Sequence, residues 1–280
     1  MADCSNCPSK GECNSQETCT IKNNQYSDVG RVIGVMSGKG GVGKSTVSTL
    51  LAKQLCAMGY KVGIMDADIT GPSIPRLMGV AGMAPEQSEM GVRPVKSKEG
   101  ISVISLNLLI QDEQQPVIWR GPMISNTVKQ FWEDVFWGDL DYLIIDMPPG
   151  TGDVALTAMQ SIPISGMLIV SVPQDMVSMI VAKAINMVDQ LGIKNIGLVQ
   201  NMSYIECPDC GKRITVFGGE NMDAYFEKLG VKSLGELPMV PQMAAISGSG
   251  LPEQDERITE TMAGVAHAVI ETVKNKNEVK

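Results

Sequence analysis

One sequence motif constrains the fold of this chain more than any other, the glycine-rich stretch 38–45, which reads GKGGVGKS. It matches the pattern G-x-x-x-x-G-K-[ST], in which a loop between a strand and a helix cradles phosphate groups. The apolar run 32–36 before it predicts a buried strand. The helical spacing of residues 46–58 after it predicts a helix, which Gly59 is placed to end. Strand, glycine loop and helix in this order predict an α/β nucleotide-binding domain.

Short apolar runs alternate with helical patterns along the rest of the chain. Strands are predicted at 61–65, 101–106, 142–145, 166–171, 193–200 and 233–237, and helices at 121–136, 175–191 and 257–274. Near-continuous apolar strands separated by helices predict a mostly parallel sheet with helices on both faces. Because ligands of such sheets bind at the carboxyl ends of the strands, Asp66 and Asp146 are expected on the same edge as the glycine loop.

Composition narrows the possible partners and location. The chain has 280 residues, a hydrophobic content of 44% and a net charge of −8. This charge disfavours nucleic acid and anionic membranes as partners. There is no apolar stretch near the ~20 residues that span a bilayer and no secretory signal, so the prediction is a cytoplasmic protein. Seven cysteines in such a protein suggest metal ligands or redox thiols.

The N-terminal region differs from the rest of the chain. Residues 1–28 are polar, hold four of the seven cysteines and lack helical or strand periodicity. We predict a Cys-rich metal-binding or flexible arm at 1–28 and a phosphate-loop ATPase domain at 29–280.

The loop residues have predictable roles toward MgATP. Lys44 is expected to reach the β- and γ-phosphates, and the Ser45 hydroxyl to bind Mg²⁺. Backbone N–H groups converge on the phosphates with help from the positive end of the helix. The candidate nucleotide-binding residues of this segment are Gly38, Gly40, Gly41, Val42, Gly43, Lys44, Ser45 and Thr46.

Carboxylates that follow two strands complete the predicted nucleotide site. Asp146 precedes a Pro-Pro-Gly turn and is expected on the Mg²⁺ side, while Gly150 in that turn can offer its N–H to a γ-phosphate. Asp66 is expected near the hydration shell of Mg²⁺, and Asp68 is expected to position the attacking water. The alternative for Asp68 is a solvated loop residue that caps the next helix.

These motifs together resemble a known family. The loop 38–45 resembles the deviant phosphate loop of the MinD/ParA/nitrogenase-iron-protein class, and the segments 66–68 and 146–153 resemble its two switch segments. With the segments Gln200-Asn201-Met202-Ser203 and CPDCG at 207–211, residues 31–273 resemble the Mrp/ApbC family of iron–sulfur carrier ATPases. The resemblance implies a homodimer with two facing ATP sites. It also implies that Lys39 reaches the nucleotide of the opposite subunit and that Asn201 lies at the adenine.

Cys207 and Cys210 form a C-x-x-C pair, which supplies two thiolates on a tight turn. Zinc sites and [4Fe–4S] clusters usually need four ligands. A second copy of the pair across a two-fold axis is the simplest completion. The family resemblance agrees, since its members hold a bridging [4Fe–4S] cluster at this position.

The alternatives for the pair are a half zinc knuckle and a redox dithiol. The dithiol is disfavoured because the pair does not begin a helix, where a lowered thiol pKa is expected. Cys56 is expected in the core.

The arm contains a second set of cysteines, Cys4, Cys7, Cys13 and Cys19. Four thiolates suit an iron–sulfur cluster or zinc, and an arm without metal is the third possibility. The arm resembles the N-terminal cluster-binding segment of eukaryotic and archaeal members, in which a further cysteine lies upstream. Here Cys19 lies downstream instead, which leaves the fourth ligand open.

The sequence therefore predicts an ATP-dependent carrier that binds a [4Fe–4S] cluster at a homodimer interface and transfers it to apo iron–sulfur proteins. ATP and Mg²⁺ are the predicted cofactors beside the cluster. The rivals are a spatial-organisation ATPase of the MinD/ParA type, a nucleotide-gated electron donor like the nitrogenase iron protein, and a zinc-stabilised ATPase without cluster transfer.

Overall fold

The computed structural model describes residues 21–68, 71, 73–109, 121–173, 175–216, 226, 229–240, 250–251 and 255–274, without the side chains of 121–122 and 175–179. The strands are β1 Asp28–Ser37, β2 Val62–Asp66, β3 Glu86–Ser88, β4 Gly91–Arg93, β5 Val95–Lys96, β6 Ser102–Ser105, β7 Asp139–Asp146, β8 Gly166–Ser171, β9 Asn195–Glu206, β10 Arg213–Thr215 and β11 Ser233–Pro238. The helices are α1 Lys44–Ala57, α2 Ile74–Leu77, α3 Gly121–Glu133, α4 Asp153–Ser161, α5 Asp175–Gln190 and α6 Glu256–Val273.

A central, mostly parallel sheet organises the described part of the chain. Its strand order is β10-β9-β8-β1-β7-β2-β6-β5, and β11 also pairs with β9. The antiparallel pairs within it are β5 with β6 and β10 with β9. The chain crosses from β1 to β2 and later to β7 and β8 on either side of β1, so the loop after β1 lies at a topological switch point.

Both faces of this sheet are covered. Every residue of β2 and of β8 is buried, although successive side chains of a strand point to opposite faces. This burial explains why these strands read as continuous apolar runs rather than as alternating patterns. Helix α1 packs against α2 and α6, and α3 packs against α4. The predicted mostly parallel sheet with covering helices is confirmed. In the part of the chain that the structure describes, no helix has the length and apolar character to cross a bilayer.

Several predicted elements differ from the observed ones at their ends. The segment 166–171 has the predicted bounds, but the strand predicted at 193–200 continues as β9 to Glu206. The strand predicted at 101–106 ends at Ser105, whose side chain accepts a hydrogen bond from the Asn107 N–H and caps a 3₁₀ turn. Helix α4 and the short strands β3, β4, β5 and β10 were not predicted.

The last residues before β1 are bound to the domain. The Ile21 N–H donates to the Ser161 carbonyl at 2.7 Å, and the Trp132 indole N–H donates to the Ile21 carbonyl at 2.8 Å. The Asn24 side chain donates to the Met90 carbonyl at 2.8 Å. The described end of the predicted arm, from residue 21 onward, is therefore packed onto the α/β domain. The division at residue 28 stays a prediction. Cys4, Cys7, Cys13 and Cys19 lie outside the described residues.

Candidate nucleotide and cluster sites

The ends of three neighbouring strands bring the predicted nucleotide residues together. In the parallel register, Asp146 at the end of β7 is the partner of Asp66 at the end of β2 and of Val35 in β1. The chain leaves β1 at Ser37 and enters the glycine loop directly. The edge of the sheet therefore places a pair of buried carboxylates beside the loop, as the sequence predicted.

The glycine loop has a backbone that side chains would disturb. Gly41 and Gly43 both have φ near +80°, in the left-handed region that favours glycine. A Cβ at Gly38 would lie 2.9 Å from the Ile180 side chain, so the loop can approach α5 only with glycine at this position. A Cβ at Gly41 would meet nothing within 4 Å, because this part of the loop faces open space.

Lys44 is the buried cation of the site. Its ammonium lies 2.8 Å from Asp146 Oδ2 and 3.6 Å from Asp68 Oδ2, and its side chain is only 6% exposed. Despite these ion pairs, Lys44 Nζ makes no hydrogen bond of good geometry within the described residues. A buried ammonium with unused donors is suited to a further anionic oxygen.

The Asp146 carboxylate contacts three side chains of the site. The Ser45 hydroxyl donates to its Oδ2 at 2.6 Å, and the Ser48 hydroxyl donates to its Oδ1 at 2.7 Å. Together with Lys44, these groups satisfy both oxygens of a carboxylate that is fully buried. Ser48 was not identified from the sequence. Its spacing of three residues from Ser45 on α1, which puts both hydroxyls on one helix face, was the available signal.

Asp66 is a buried carboxylate with raised proton affinity. The Asp68 N–H donates to its Oδ1 at 3.1 Å, and the Ser105 hydroxyl donates to its Oδ2 at 3.1 Å. Burial raises the pKa of the Asp66 carboxyl well above its ordinary value, and the negative charge of Asp146 raises it further. Lys44 and the two hydrogen bonds offset only part of this rise. A cation placed here would therefore stabilise the ionised form.

The Pro-Pro-Gly turn lies against the glycine loop. The Gly150 N–H, predicted to contact a γ-phosphate, donates to the Ser37 carbonyl at 2.8 Å. A phosphate contact at Gly150 therefore requires this hydrogen bond to be exchanged. Gly40 is exposed, and a Cβ there would lie 3.9 Å from Pro149. Lys39 is exposed at the start of the loop.

These residues fit a magnesium nucleotide. The loop offers open space above Gly41, a helix N-terminus at Lys44 and a buried ammonium with unused donors, which suits a polyphosphate. In the described ranges no three His, Cys, Asp or Glu side chains converge on a metal position. Proteins hold Mg²⁺ through one or two carboxylates together with water and substrate phosphates, and Asp66 and Asp146 are the buried carboxylates of this edge.

Asn201 contacts the glycine loop directly. Its side-chain amide donates to the Val42 carbonyl at 2.9 Å, and a Cβ at Gly43 would lie 2.1 Å from Asn201 Nδ2. The contact joins residues 159 positions apart, so no local pattern could have predicted it. The predicted position of Asn201 at the adenine stays a prediction.

The C-x-x-C pair forms the tip of a β-hairpin. Cys207 follows β9 directly, and its N–H donates to the Lys212 carbonyl at 3.0 Å. The Gly211 N–H donates back to the Cys207 carbonyl at 2.9 Å, with Gly211 at φ 68°. Strand β10 then pairs antiparallel with β9. The tight turn predicted from the sequence is present, and Cys210 at its end is exposed.

The hairpin tip favours the thiolate form of Cys207. Hydrogen bonds from the backbone N–H groups of Asp209 and Cys210, and from the Cys210 thiol, lower the pKa of Cys207. The sequence interpretation disfavoured a redox dithiol because the pair does not begin a helix, where a lowered thiol pKa is expected. A tight turn supplies converging N–H groups without a helix, so that argument against a redox dithiol was wrong. Cys56, in contrast, packs partly against the core, and burial raises the pKa of its thiol.

An ion-pair network fixes the root of the hairpin. Glu206, next to Cys207, contacts Arg257 at the start of α6, and its Oε1 lies 3.8 Å from Arg213 Nε. The Arg213 guanidinium stacks 4.4 Å above the ring of Tyr204. These residues were not identified from the sequence, because their partners meet only in the folded chain.

The fold and the nucleotide edge define a phosphate-loop NTPase of the MinD/ParA type. The family model "ParA: NUBPL iron-transfer P-loop NTPase" matches residues 28–274. The chain belongs to this family of iron-transfer NTPases. The resemblance to iron–sulfur carrier ATPases inferred from the motifs is confirmed.

Curated relatives resemble the chain over nearly its whole length. A protein of Clostridium perfringens named "Iron-sulfur cluster carrier protein" is 47% identical over 269 residues, which cover 91% of this chain and 94% of the relative. A protein of the same name from Methanocaldococcus jannaschii is 42% identical, with 98% of each chain covered.

Solved structures show the same fold. A nucleotide-binding protein of Archaeoglobus fulgidus in complex with ADP has a TM-score of 0.67 and 38% identity, covering 86% of this chain and 88% of its own. The MinC:MinD cell division complex of Aquifex aeolicus has a TM-score of 0.61 at 19% identity, covering 86% and 96%. The second likeness shows the fold alone.

Proposed function

We propose that this protein is an ATP-dependent carrier of [4Fe–4S] clusters that works as a homodimer and delivers its cluster to apo iron–sulfur proteins. The observation that carries the proposal is the Cys207–Cys210 pair at a hairpin tip, with Cys207 half-buried and Cys210 exposed, directly after the strand whose Asn201 contacts the phosphate loop. Family membership and the names of the relatives support the same function.

The nucleotide chemistry rests on the residues of the sheet edge. Lys44 would offer its unused donors to the β- and γ-phosphates. The Ser45 hydroxyl, which donates its proton to Asp146, would hold Mg²⁺ through its oxygen. Mg²⁺ neutralises charge that develops on the phosphates during transfer to water. Asp68 lies 3.6 Å from Lys44 Nζ, and this closeness to the phosphate-binding ammonium supports a role for Asp68 in positioning that water. Lys39 is exposed, as a residue that reaches into a second subunit must be.

The cluster is the cargo and is held by thiolates. One chain provides Cys207 and Cys210, and no third metal-ligating side chain joins them in the ranges described. Two chains related by a two-fold axis provide four thiolates, the usual number for this cluster. The lowered pKa of Cys207 favours the ligating thiolate.

Strand β9 connects the nucleotide site and the cysteine pair. Asn201 binds the Val42 carbonyl within the phosphate loop, and Cys207 follows the end of the same strand. A change in the loop on binding or loss of the γ-phosphate can therefore shift the hairpin tip through one element. Exchange of the Gly150 hydrogen bond to the Ser37 carbonyl is one such change.

The rival functions account for less of the molecule. A spatial-organisation ATPase of the MinD/ParA type needs no cysteine pair at the surface. The similarity to the MinD structure, at 19% identity, shows the fold alone. A zinc-stabilised ATPase would use the same thiolates but would give no reason for an open, exposed site. An electron donor of the nitrogenase iron protein type takes its ligands from separated cysteines rather than from a C-x-x-C pair.

Anaerobic reconstitution followed by a transfer assay tests the function. The loaded protein is expected to show the visible absorption of a [4Fe–4S] cluster and to activate an apo acceptor enzyme. Cys207→Ser should abolish transfer while MgATP binding persists, and Cys56→Ser serves as the matched control. Bound zinc without iron or sulfide would support the zinc rival. A stable cluster that cycles electrons but never activates an acceptor would support the electron-donor rival.

A further inference from the structure

The hairpin that carries the cysteines has two unlike faces. Its cross-strand partners are Glu206 with Arg213, Ile205 with Ile214, and Tyr204 with Thr215. Because partners share a face and successive residues alternate, Ile205 and Ile214 lie together on one face. The opposite face is turned to the domain, where Tyr204 is buried and Glu206 contacts Arg257 of α6.

The isoleucine face is exposed and apolar. Ile205 is 38% exposed and Ile214 is 50% exposed. The other large apolar side chains of comparable exposure in the described residues include Tyr26, Met83, Leu109 and Met123, which belong to other segments. This β-branched pair faces solvent next to the cysteine turn, while the opposite face of the hairpin contacts the domain through Tyr204 and Glu206.

The same hairpin is an incomplete metal site. Its two cysteines provide half of a four-thiolate ligand set, and within the described ranges no other ligand lies near enough to complete it. In the proposed function, a second copy of this chain supplies the two missing thiolates with matching geometry. This step rests on the proposed function.

We propose that the Ile205–Ile214 face is the contact through which two copies of this chain pack, hairpin against hairpin, when they share a cluster. A two-fold axis that runs along the hairpin brings the two isoleucine faces together and places the two cysteine tips side by side. The contact covers the apolar pairs and forms a dry base beneath the cluster.

The alternative contact, through the free edge of β10, would not bring the cysteine pairs of two copies together. Strand β10 is the last strand of the sheet order and could pair with its own copy. Two edge strands related by a two-fold axis run antiparallel, which points the hairpin tips in opposite directions. The isoleucine face is therefore the surface that agrees with the half ligand set.

Paired substitutions at this face test the inference in the full-length protein. Ile205→Thr combined with Ile214→Thr keeps β-branching at both positions and removes most of the apolar contact. Met83→Thr is the matched control, because Met83 is 47% exposed and belongs to another part of the fold. After anaerobic reconstitution, sedimentation gives the dimer dissociation constant, and iron and sulfide analysis gives the cluster content. MgATP binding reports the integrity of the domain.

The isoleucine double variant is expected to weaken the cluster-loaded dimer about tenfold or more and to lose bridging cluster, while MgATP binding is retained. Met83→Thr is expected to behave like the wild type. A double variant with unchanged dimerisation and cluster content overturns the inference. Normal dimer and cluster content with impaired transfer would assign the face to the acceptor protein, which also overturns it.

Failure of the proposed function would give a different result. If Cys207→Ser leaves iron content and dimerisation unchanged, the shared cluster itself is refuted, whatever the isoleucine variants do. If Cys207→Ser loses the cluster and the isoleucine variants do not, only the packing surface is wrong.

Discussion

At the scale of single residues, the nucleotide edge concentrates opposite charges in a small buried volume. Asp146 accepts hydrogen bonds from Ser45 and Ser48 and pairs with Lys44, so both of its oxygens have partners. Burial, and after it the negative charge of Asp146, raise the pKa of Asp66. We therefore expect this arrangement to cost folding free energy in the apoprotein, and a bound cation with phosphates to offset that cost.

Removal of the Lys44 ammonium should abolish catalysis. Lys44→Ala deletes the buried cation that faces the phosphates, and we expect the MgATP hydrolysis rate to fall at least about 100-fold. Lys53→Ala is the control, because Lys53 lies on the same helix but pairs with Glu99 at the surface. Steady-state ATPase assays compare the two variants, with circular dichroism to check folding. ATPase activity near the wild-type rate in Lys44→Ala would contradict the site.

Asp66 should give the apoprotein a distinctive pH dependence. Its pKa is raised in the folded state, so the folded protein binds the proton more tightly than the unfolded chain. The free energy of unfolding from this group is therefore largest below the unfolded pKa of about 4 and falls as the pH rises toward the folded pKa. Asp66→Asn should remove this fall and stabilise the apoprotein at neutral pH by about 1–3 kcal/mol.

Urea unfolding of wild type and Asp66→Asn between acidic and neutral pH checks this dependence. The variant should also lose part of the stabilisation that MgATP gives to the wild type, since the carboxylate near Mg²⁺ is absent. Parallel pH profiles for the two proteins would show that Asp66 is not the group responsible.

At the scale of elements, the interior strands were predictable and the sheet margin was not. Strand β8 is buried on both faces, so its apolar run defines its ends. Strand β10 has three exposed residues, and only its pairing with β9 makes it a strand. The extension of β9 beyond Gln200 likewise depends on a partner that follows later in the chain. The exposed residues of β10 give no apolar run, and the buried residues of the β9 extension include the polar Asn201 and Ser203, so neither segment shows a strand pattern in the sequence.

The residues of the candidate site were likewise predictable only where a local sequence pattern marks them. Lys44, Ser45, Asp66 and Asp146 were predictable because a glycine motif and the ends of buried strands locate them. The contacts of Asn201 with Val42 and of Glu206 with Arg257 were not, because they join distant parts of the chain through side chains. The inward turn of the Gly150 N–H to the Ser37 carbonyl also depends on tertiary packing.

Strand β9 changes partners at a strained residue. Its parallel pairing with β8 reaches Gln200, and its antiparallel pairing with β10 begins at Tyr204. Between them, Met202 has φ 53°, the one positive φ of a non-glycine residue in the described ranges. A β-branched side chain is poorly tolerated in this conformation.

We therefore expect Met202→Val to lower the free energy of unfolding by about 1–3 kcal/mol more than Met202→Leu. Both substitutions replace a partly buried apolar side chain, and only valine is β-branched. Urea denaturation of the two variants at the same pH measures the difference. Equal stabilities would show that the left-handed conformation at Met202 carries no such constraint.

At the scale of the whole molecule, the arm and the domain should be separable at residue 20 but not at residue 28. Ile21 and Asn24 make hydrogen bonds to the domain, and the Ser27 hydroxyl accepts from the Trp137 N–H at 2.9 Å. Deletion of residues 1–20 should leave stability and MgATP binding unchanged. Deletion of residues 1–28 should lower the free energy of unfolding by about 2–5 kcal/mol, at about 1 kcal/mol for each lost hydrogen bond.

The same deletions test the arm as a metal site. If Cys4, Cys7, Cys13 and Cys19 hold a cluster, loss of residues 1–20 should remove about one cluster's worth of iron per chain. Iron and zinc analysis after anaerobic purification measures this. Unchanged metal content would show that these cysteines bind neither a cluster nor zinc.

The two sites of the assembled molecule should influence one another equally in both directions. Because β9 joins the phosphate loop to the cysteine tip, nucleotide state and cluster binding share one element. Thermodynamic linkage then requires that, if ATP changes cluster affinity by some factor, the cluster changes ATP affinity by the same factor, about 5–150-fold for typical coupling.

Asp68→Asn should bind MgATP but hydrolyse it slowly, which holds the molecule in one nucleotide state and stalls transfer. Anaerobic titrations of nucleotide into apo and cluster-loaded protein, beside transfer kinetics with and without MgATP, measure both directions. Equal nucleotide affinities in the two forms, with transfer insensitive to nucleotide in wild type and Asp68→Asn alike, would separate the ATPase from the cluster and refute the coupling.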